Sequence, residues 1–494
     1  MRILLVHPPA MDIYGAFKPA AKLAAQPQMP LGILYIGAAL EQAGHQVTIL
    51  DGDVDHMGPS EVTDYVGKWV PDVVGVSATT PGYAMANRIL DHVKEKHPDT
   101  ITILGGFHVT ALPQETMAEG TADFGVYGEG EQTIVELVAA LEGGSDVGSI
   151  AGILFRQDGV PGGQVRMNPP RPQLQDLDEL PFPARHLLRY GKYVWSVPGK
   201  KLVPVTTIMT QRGCPYQCVF CGVQTMFPRV HYRQIEHVVD ELEHIVAELG
   251  IRHVQFSDDT LTLKADKTVA LCEEIRRRKL DITWEGYTRA DRISQDLLKQ
   301  MKDAGLVRLS FGVESGDERI LAAIKKGTSL EQYRQAYEWC DELGLETRCS
   351  VMLGHPFETR ETVKKTVDYI CSLKIDQAYI NIATPYPGTA LLEMARQGCG
   401  GLRLLTEDWT EYRRYGNAVM EMNDLTRQDL IRLQKTAYLR FYLRPSIMSK
   451  NLRRAGLRAA LLNATAFASS LFRPVEVGGE FPHSDDYCMP EGQQ

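Results

Sequence analysis

The stretch RGCPYQCVFCGV, residues 212–223, places three of the chain's nine cysteines, Cys214, Cys218 and Cys221, within eight positions. Thiolates bind metals, and a structural zinc site takes four protein ligands, commonly in Cys-x2-Cys pairs. No fourth ligand follows in sequence. The cysteines at 272, 340, 349, 371, 399 and 488 are scattered, several inside apolar stretches that suit an inert core thiol. The spacing Cys-x3-Cys-x2-Cys instead suits an iron–sulfur cubane in which one iron has no protein ligand and can coordinate a substrate or cofactor. A surface loop with fortuitous cysteines is the plain alternative.

Further polar residues stand where apolar runs end. SDDTLT carries Ser257, Asp258 and Asp259, WEGYT is followed by Arg289, and GVESG carries Glu314 and Ser315. Each has an ordinary reading as well: the aspartates could cap a following helix, and Glu314 could serve its neighbour's backbone. Earlier in the chain, Ser77, Thr79, Gly105, Gly106, His108, Tyr127 and Gly128 follow apolar runs in the same way.

The elements that must position these residues are legible as a pattern. RILLVH (2–7), QVTILDGD (46–53), VVGVSATT (73–80), ITILGGFH (101–108) and FGVYGEGE (124–131) read as strands separated by helices such as 31–44. Strands alternating with helices imply a parallel, doubly wound α/β sheet whose ligands sit at the carboxyl ends. Residues 143–203 are rich in turns and proline and read as a hairpin and connector. Between 204 and 398 six more strand–helix units follow, with the cysteine loop after the first, which predicts a partial (β/α)6 barrel with its active face at the strand C-termini. The division expected is 1–142, 143–203, 204–398 and a mainly helical basic region 399–494.

Composition is that of a soluble globular protein: at 44% hydrophobic and 23% charged residues the 494-residue chain can bury more than one core. No run reaches the roughly 18–20 apolar residues that span a bilayer, and the N-terminus reads as a strand rather than a signal peptide. A cytoplasmic setting is expected, where thiols stay reduced and clustered cysteines bind metal. From Arg427 to Arg473 ten Lys or Arg stand against one acid, Asp429, within a chain of net charge -9. Such a tail is a solvated helix face or an anion-binding surface. The segment 452–472, apolar with arginines at its start, is compatible with lying on a membrane surface and with a lipid-like substrate.

The motif GCPYQCVFC, with Phe220 before the last cysteine, resembles the radical S-adenosylmethionine (SAM) superfamily over residues 204–398. The resemblance implies that Cys214, Cys218 and Cys221 hold a 4Fe-4S cluster whose fourth iron is chelated by SAM. Reductive cleavage of SAM would then give a 5′-deoxyadenosyl radical, fed by a flavodoxin- or ferredoxin-type donor. It also implies SAM contacts from Ser257, Asp258, Asp259, Arg289, Glu314 and Ser315, from MLGHPFET, and from TPYPGT at 384–389.

With the preceding α/β domain, the segments PLGILYIGAAL, GGFHVTALP, YGEGEQT and LDELPFPAR resemble the cobalamin-binding class of that superfamily. By this resemblance Ser77, Thr79, Gly105, Gly106, His108, Tyr127 and Gly128 lie near the corrin or its nucleotide tail. The loop after the first strand, HPPAMDIYGAFKPAAK, lacks the Asp-x-His-x-x-Gly motif that supplies a lower histidine ligand in cobalamin mutases, so a base-off cofactor covered by residues 8–28 is expected. The activity implied is methyl transfer from SAM through methylcobalamin to an unactivated carbon of a small-molecule or lipid-like substrate, with nucleic acid not expected as a partner. A cyclase or rearrangement without net methylation is the alternative, and a cobalamin- or redox-responsive binding protein the non-enzymatic one. A transfer-RNA methylthiotransferase would carry cysteines in the first domain, and here the first cysteine is Cys214.

Overall fold

The computed structural model describes residues 1–9, 26–157, 163–199, 202–413 and 415–450. Strands β1 (Arg2–His7), β2 (Gln46–Asp51), β3 (Val73–Ser77), β4 (Ile101–Gly105), β5 (Phe124–Val126), β6 (Ile153–Arg156) and β7 (Val165–Met167) form one sheet in the order β2-β1-β3-β4-β5-β6-β7. The first five are parallel, and β6 and β7 add to the edge antiparallel. Ile3, Leu4, Leu5 and Val6 of β1 are all buried, as expected of a parallel strand covered on both faces. Two strands end earlier than their apolar runs suggest, β4 at Gly105 and β5 at Val126. Glycines with positive φ, Gly106 (+100°) and Gly128 (+75°), turn the chain there. The hairpin β6–β7 is not a connector but the far edge of this sheet, because its backbone groups pair with β5.

The connector proper runs from about 168 to 193 and is held at both ends. Ala184 N donates to Leu34 O at 3.1 Å, and Tyr193 Oη donates to Asp51 Oδ2 at 2.6 Å. Arg185 bonds Thr206 Oγ1 at 2.9 Å and Glu241 Oε1 at 2.6 Å, while Arg233 takes Glu241 Oε2 at 2.5 Å. One buried apolar cluster consequently runs from Ile3 and Leu34 through Tyr193 to Ile208 and on into the second sheet.

That second sheet comprises β8 (Val194–Ser196), β9 (Leu202–Ile208), β12 (His253–Phe256), β13 (Thr283–Thr288), β14 (Leu306–Glu314), β15 (Glu346–Leu353) and β16 (Gln377–Ile382), with a two-residue pair β10 (Gln211–Arg212) and β11 (His231–Tyr232) beside it. The order is β16-β15-β14-β13-β12-β9-β8, six parallel strands with β8 antiparallel at one edge. The opposite edge would leave β16 unpaired. Helix Arg427–Tyr442 covers it: Tyr442 Oη meets both Ala378 N (3.1 Å) and O (3.0 Å), Tyr438 Oη meets Ile380 N, and Gln434 donates to Ile380 O. The described part of the C-terminal region also contains the hairpin β17 (Leu402–Leu404) and β18 (Met420–Met422). The segment 452–472 lies outside the described residues. No helix among the described residues is long and apolar enough to cross a membrane.

Glu241 is fully buried; burial alone would raise its pKa, but Arg185 and Arg233 hold it below its ordinary 4.5. Such a group stabilises the fold above that value and loses its contribution as pH falls through the lower, folded pKa. Glu241→Gln leaves two buried guanidiniums short of charge, so it should cost about 3–5 kcal/mol. Urea unfolding at neutral pH should show the loss, and the difference from wild type should shrink on acidification.

Candidate active site between the two sheets

A cavity of about 400 Å3 lies where strand ends of the two sheets meet. The first sheet supplies Ser77, Gly105, Gly106 and Gly128, and the second supplies Met209, Arg212, Ser257 and Asp259. In a 2-1-3-4-5 parallel order the ligand crevice opens beside β1 and β3, where the strand order reverses, and Leu5, Gly75 and Ser77 sit there. The deep wall is apolar, made by Leu5, Ile33, Ile36, Ile103, Val126 and Ile134. Gly75 and Gly105 leave its floor without side chains, so a slot for a flat apolar group runs between the sheet and helix Leu31–Gln42.

Close backbone approach shapes the mouth. A Cβ on Gly106 would stand 2.6 Å from Ala78 O, and a Cβ on Gly222, directly after Cys221, would strike the Phe107 ring. The cysteine loop is thereby seated against the first domain. Arg212, two residues before Cys214, completes the join: it bonds Glu129 Oε1 at 2.7 Å and Glu131 Oε1 at 2.5 Å, with its guanidinium over Tyr35 and Phe227. Burial opposes its charge, yet the two carboxylates raise its pKa further.

The loop itself is pinned by backbone bonds from Val219 N to Ile324 O and from Leu391 N to Val219 O. All three thiols are partly open and unpaired, a donor set that fits three protein-bound irons of a cubane. Burial pushes the Cys221 thiol up to about 11 and raises Cys218, the latter against Lys326 and Arg289. Lys326 bonds Glu314 Oε1 at 3.0 Å, with both side chains buried, and stands 5.8 Å from the Phe220 ring. Glu314 adopts φ +66°, a strained value for a non-glycine residue. Arg289 lies over the Tyr216 ring at 3.6 Å and pairs with Asp291. Asp259 faces the cavity, and the protein around its carboxyl raises it to about 6.

Ser77, Gly105, Gly106, Gly128, Ser257 and Asp259 thus come together on the cavity wall, and Arg289 and Glu314 gather at the cysteine loop. Five expected contacts do not reach either place. Thr79 is exposed at the start of a turn. His108 is buried on the other side, bonded to Thr80 Oγ1 at 3.1 Å and stacked on Tyr83, where burial drives its pKa to about 4. Tyr127 Oη donates to Asn168 O at 2.6 Å. Asp258 Oδ1 accepts from Thr210 N, Thr210 Oγ1 and Gln211 N, fixing the turn out of β9. Ser315 is buried between Thr366 Oγ1 and Asp317 N. Tyr127, Asp258 and Ser315 are each taken up by a nearby backbone group, and His108 by a hydroxyl.

Sequence reading missed Phe107, Arg212, Glu129, Glu131 and Lys326. Arg212 and the glutamates of YGEGEQT had a signal, since charges beside a buried site need partners; Lys326 had none. His355, in the loop after β15, was also missed. It is fully buried 5.9 Å from the Phe220 ring. Residues 10–25 of the loop expected to cover the cobalt lie outside the described residues.

Gly106→Ala tests the mouth. Its φ of +100° and the 2.6 Å approach to Ala78 O strain any side chain, by about 1–3 kcal/mol. A lower melting temperature should accompany a larger loss: after reconstitution and desalting, the variant should retain less cobalamin by absorbance.

Residues 208–370 match the radical SAM superfamily and residues 19–138 the B12 binding domain. The chain is 36% identical over 454 residues, 92% of its length and 95% of the relative's, to an uncharacterized methyltransferase of Pyrococcus horikoshii. It is 28% identical, over 91% of its own length and 78% of the relative's, to the anaerobic magnesium-protoporphyrin IX monomethyl ester cyclase of Rubrivivax gelatinosus. Its fold matches the radical SAM methyltransferase TsrM of Kitasatospora setae, solved with cobalamin and a 4Fe-4S cluster bound, with a TM-score of 0.68 at 20% identity over 90% of this chain and 89% of that one. On these grounds the chain belongs to the cobalamin-binding radical SAM enzymes of the methyltransferase-like class, whose cofactors are a 4Fe-4S cluster, SAM and cobalamin.

Proposed function

We propose that this enzyme moves a methyl group from SAM, by way of cobalamin, to an unactivated carbon of a small molecule. The observation that carries the reading is the cavity walled by strand ends of both sheets, beside which the cysteine loop is seated on Phe107. Methyl transfer of this kind needs both cofactors held against one substrate with water excluded. Bound there, cobalamin would carry the methyl from one SAM to the substrate carbon, and the cluster would supply the electron that cleaves a second SAM to the radical that removes a hydrogen atom from that carbon.

In this reading Cys214, Cys218 and Cys221 hold the cluster, and Arg289 and the Glu314–Lys326 pair orient the polar end of SAM beside Cys218. Ser77, Gly105, Gly106 and Gly128 border the corrin, and the apolar slot takes its nucleotide tail. The setting proposed is cytoplasmic, with a low-potential flavodoxin- or ferredoxin-type electron donor.

The relatedness to the cyclases favours one second reading, ring closure without methylation. Anaerobic reconstitution with iron, sulfide and cobalamin, followed by methyl-deuterated SAM and reductant, separates the two. Label on cobalamin together with S-adenosylhomocysteine is expected. Release of 5′-deoxyadenosine with neither would overturn methyl transfer in favour of cyclisation.

A further inference from the structure

Parallel barrels are ordinarily filled by layers of branched apolar side chains. Alternation along β12 to β16 sends Phe256, Trp284, Phe311, Cys349 and Ile380 outward into the core beneath the helices, with Phe311 meeting Tyr337 at 5.1 Å. The opposite, lumen-facing positions are Gln255, Tyr287, Ser310, Ser350, Tyr379 and Asn381. This lumen is polar. Its floor is closed by charge: Arg348 reaches across β14 to Glu285 at 2.7 Å, Arg308 also pairs with Glu285, and Arg308 bonds Glu346 at 2.9 Å. Two acids meet two bases, so the floor has no charge left to bind an ion.

Above that floor, hydrogen-bonding groups stand open. Gln255 donates to Tyr287 Oη at 2.8 Å, and its other amide atom has no partner. Asn381 donates to Ser350 Oγ at 3.4 Å, and its carbonyl oxygen has none. Turning either amide over only changes which atom is unpaired. Tyr287 and Tyr379 keep 38% and 41% of their surfaces open. Burial raises the Tyr287 phenol, whose hydroxyl is also bonded by Gln28. The chamber adjoins the cysteine loop. Ser350 is in register with Gly312, and a Cβ on Gly312 would overlap the Glu314 carboxylate and stand 3.0 Å from Lys326 Nζ.

Building on the methyl-transfer reading above, we infer that this lumen is the substrate chamber and that the substrate is a small polar molecule, bound through its own N–H and O–H groups by Gln255, Tyr287, Ser350, Tyr379 and Asn381. Buried amide atoms without partners are costly, and a hydrogen-bonding ligand relieves that cost. A hydrocarbon skeleton would leave every one of them unpaired. The lipid-like class of substrate is therefore the disfavoured one.

The test gives the reconstituted holoenzyme methyl-deuterated SAM and dithionite with either an aqueous small-molecule extract or a chloroform-soluble lipid extract of the native cells, and reads deuteromethyl products by mass spectrometry. Label is expected in the aqueous fraction, reduced about tenfold by Gln255→Leu and by Asn381→Leu. Where a leucine variant does not fold, Tyr379→Phe removes a single hydroxyl and should lower the same signal. Label confined to the lipid fraction, or aqueous label untouched by the variants, overturns the inference. S-adenosylhomocysteine in the same incubations keeps the two readings apart: its presence with lipid label removes only the polar chamber, and its absence removes methyl transfer beneath it.

Discussion

Arg212 is the contact on which the site depends. It follows the first barrel strand, precedes the cysteines by two residues, and spends its charge on two glutamates of the other sheet. A buried guanidinium without carboxylates would be strongly unfavourable, and two buried carboxylates without the guanidinium equally so. The two sheets therefore have one low-energy way to meet at this corner. Glu129 Oε2 also accepts Leu174 N at 2.7 Å, which ties the connector into the same node. The close seating of Phe107 on Gly222 then follows as a consequence of that approach.

The site divides its chemistry between the sheets. On the first, glycines and aliphatic side chains make a slot that offers shape and almost no polarity. On the second, charges are abundant but paired: Lys326 with Glu314, Arg289 with Asp291, Arg348 and Arg308 with Glu285. Glu285 shows how complete the pairing is. Burial works against its ionisation, yet His253, Arg348 and Arg308 hold it at about 2. Paired charges hold their geometry without attracting stray ions, which suits a reaction whose reactive species must be kept from water. The strained φ of Glu314 lies at the one place where β14 slips register against β15 to reach the cysteine loop.

Helix Arg427–Tyr442 resolves a different problem. A half-barrel has a free edge, and three polar side chains of this helix supply the bonds that a seventh parallel strand would have made. Part of the basic excess of the C-terminal region belongs to this structural helix. Arg440 pairs with Asp368 on its neighbour, and Arg444 donates to Cys371 O at 2.6 Å.

By itself the sequence determined both sheets, the order of their strands along the chain, the cysteine loop and the class of cluster it suits. Period-two and period-3.6 patterns and the Cys-x3-Cys-x2-Cys spacing are local properties, so they survive without knowledge of the fold. It did not determine which strand-end residues face a ligand. Ser257 and Asp259 point to the cavity while Asp258 between them turns back to Thr210, and Gly106 borders the cavity while His108 packs behind it. Strand edges, bond partners and side-chain direction at a turn are set by what lies across the gap. Arg212 finding Glu129, Tyr442 finding Ala378, and Gln255 and Asn381 left open in a polar lumen depend on residues 31 to 83 positions apart, and only the tertiary structure decided them.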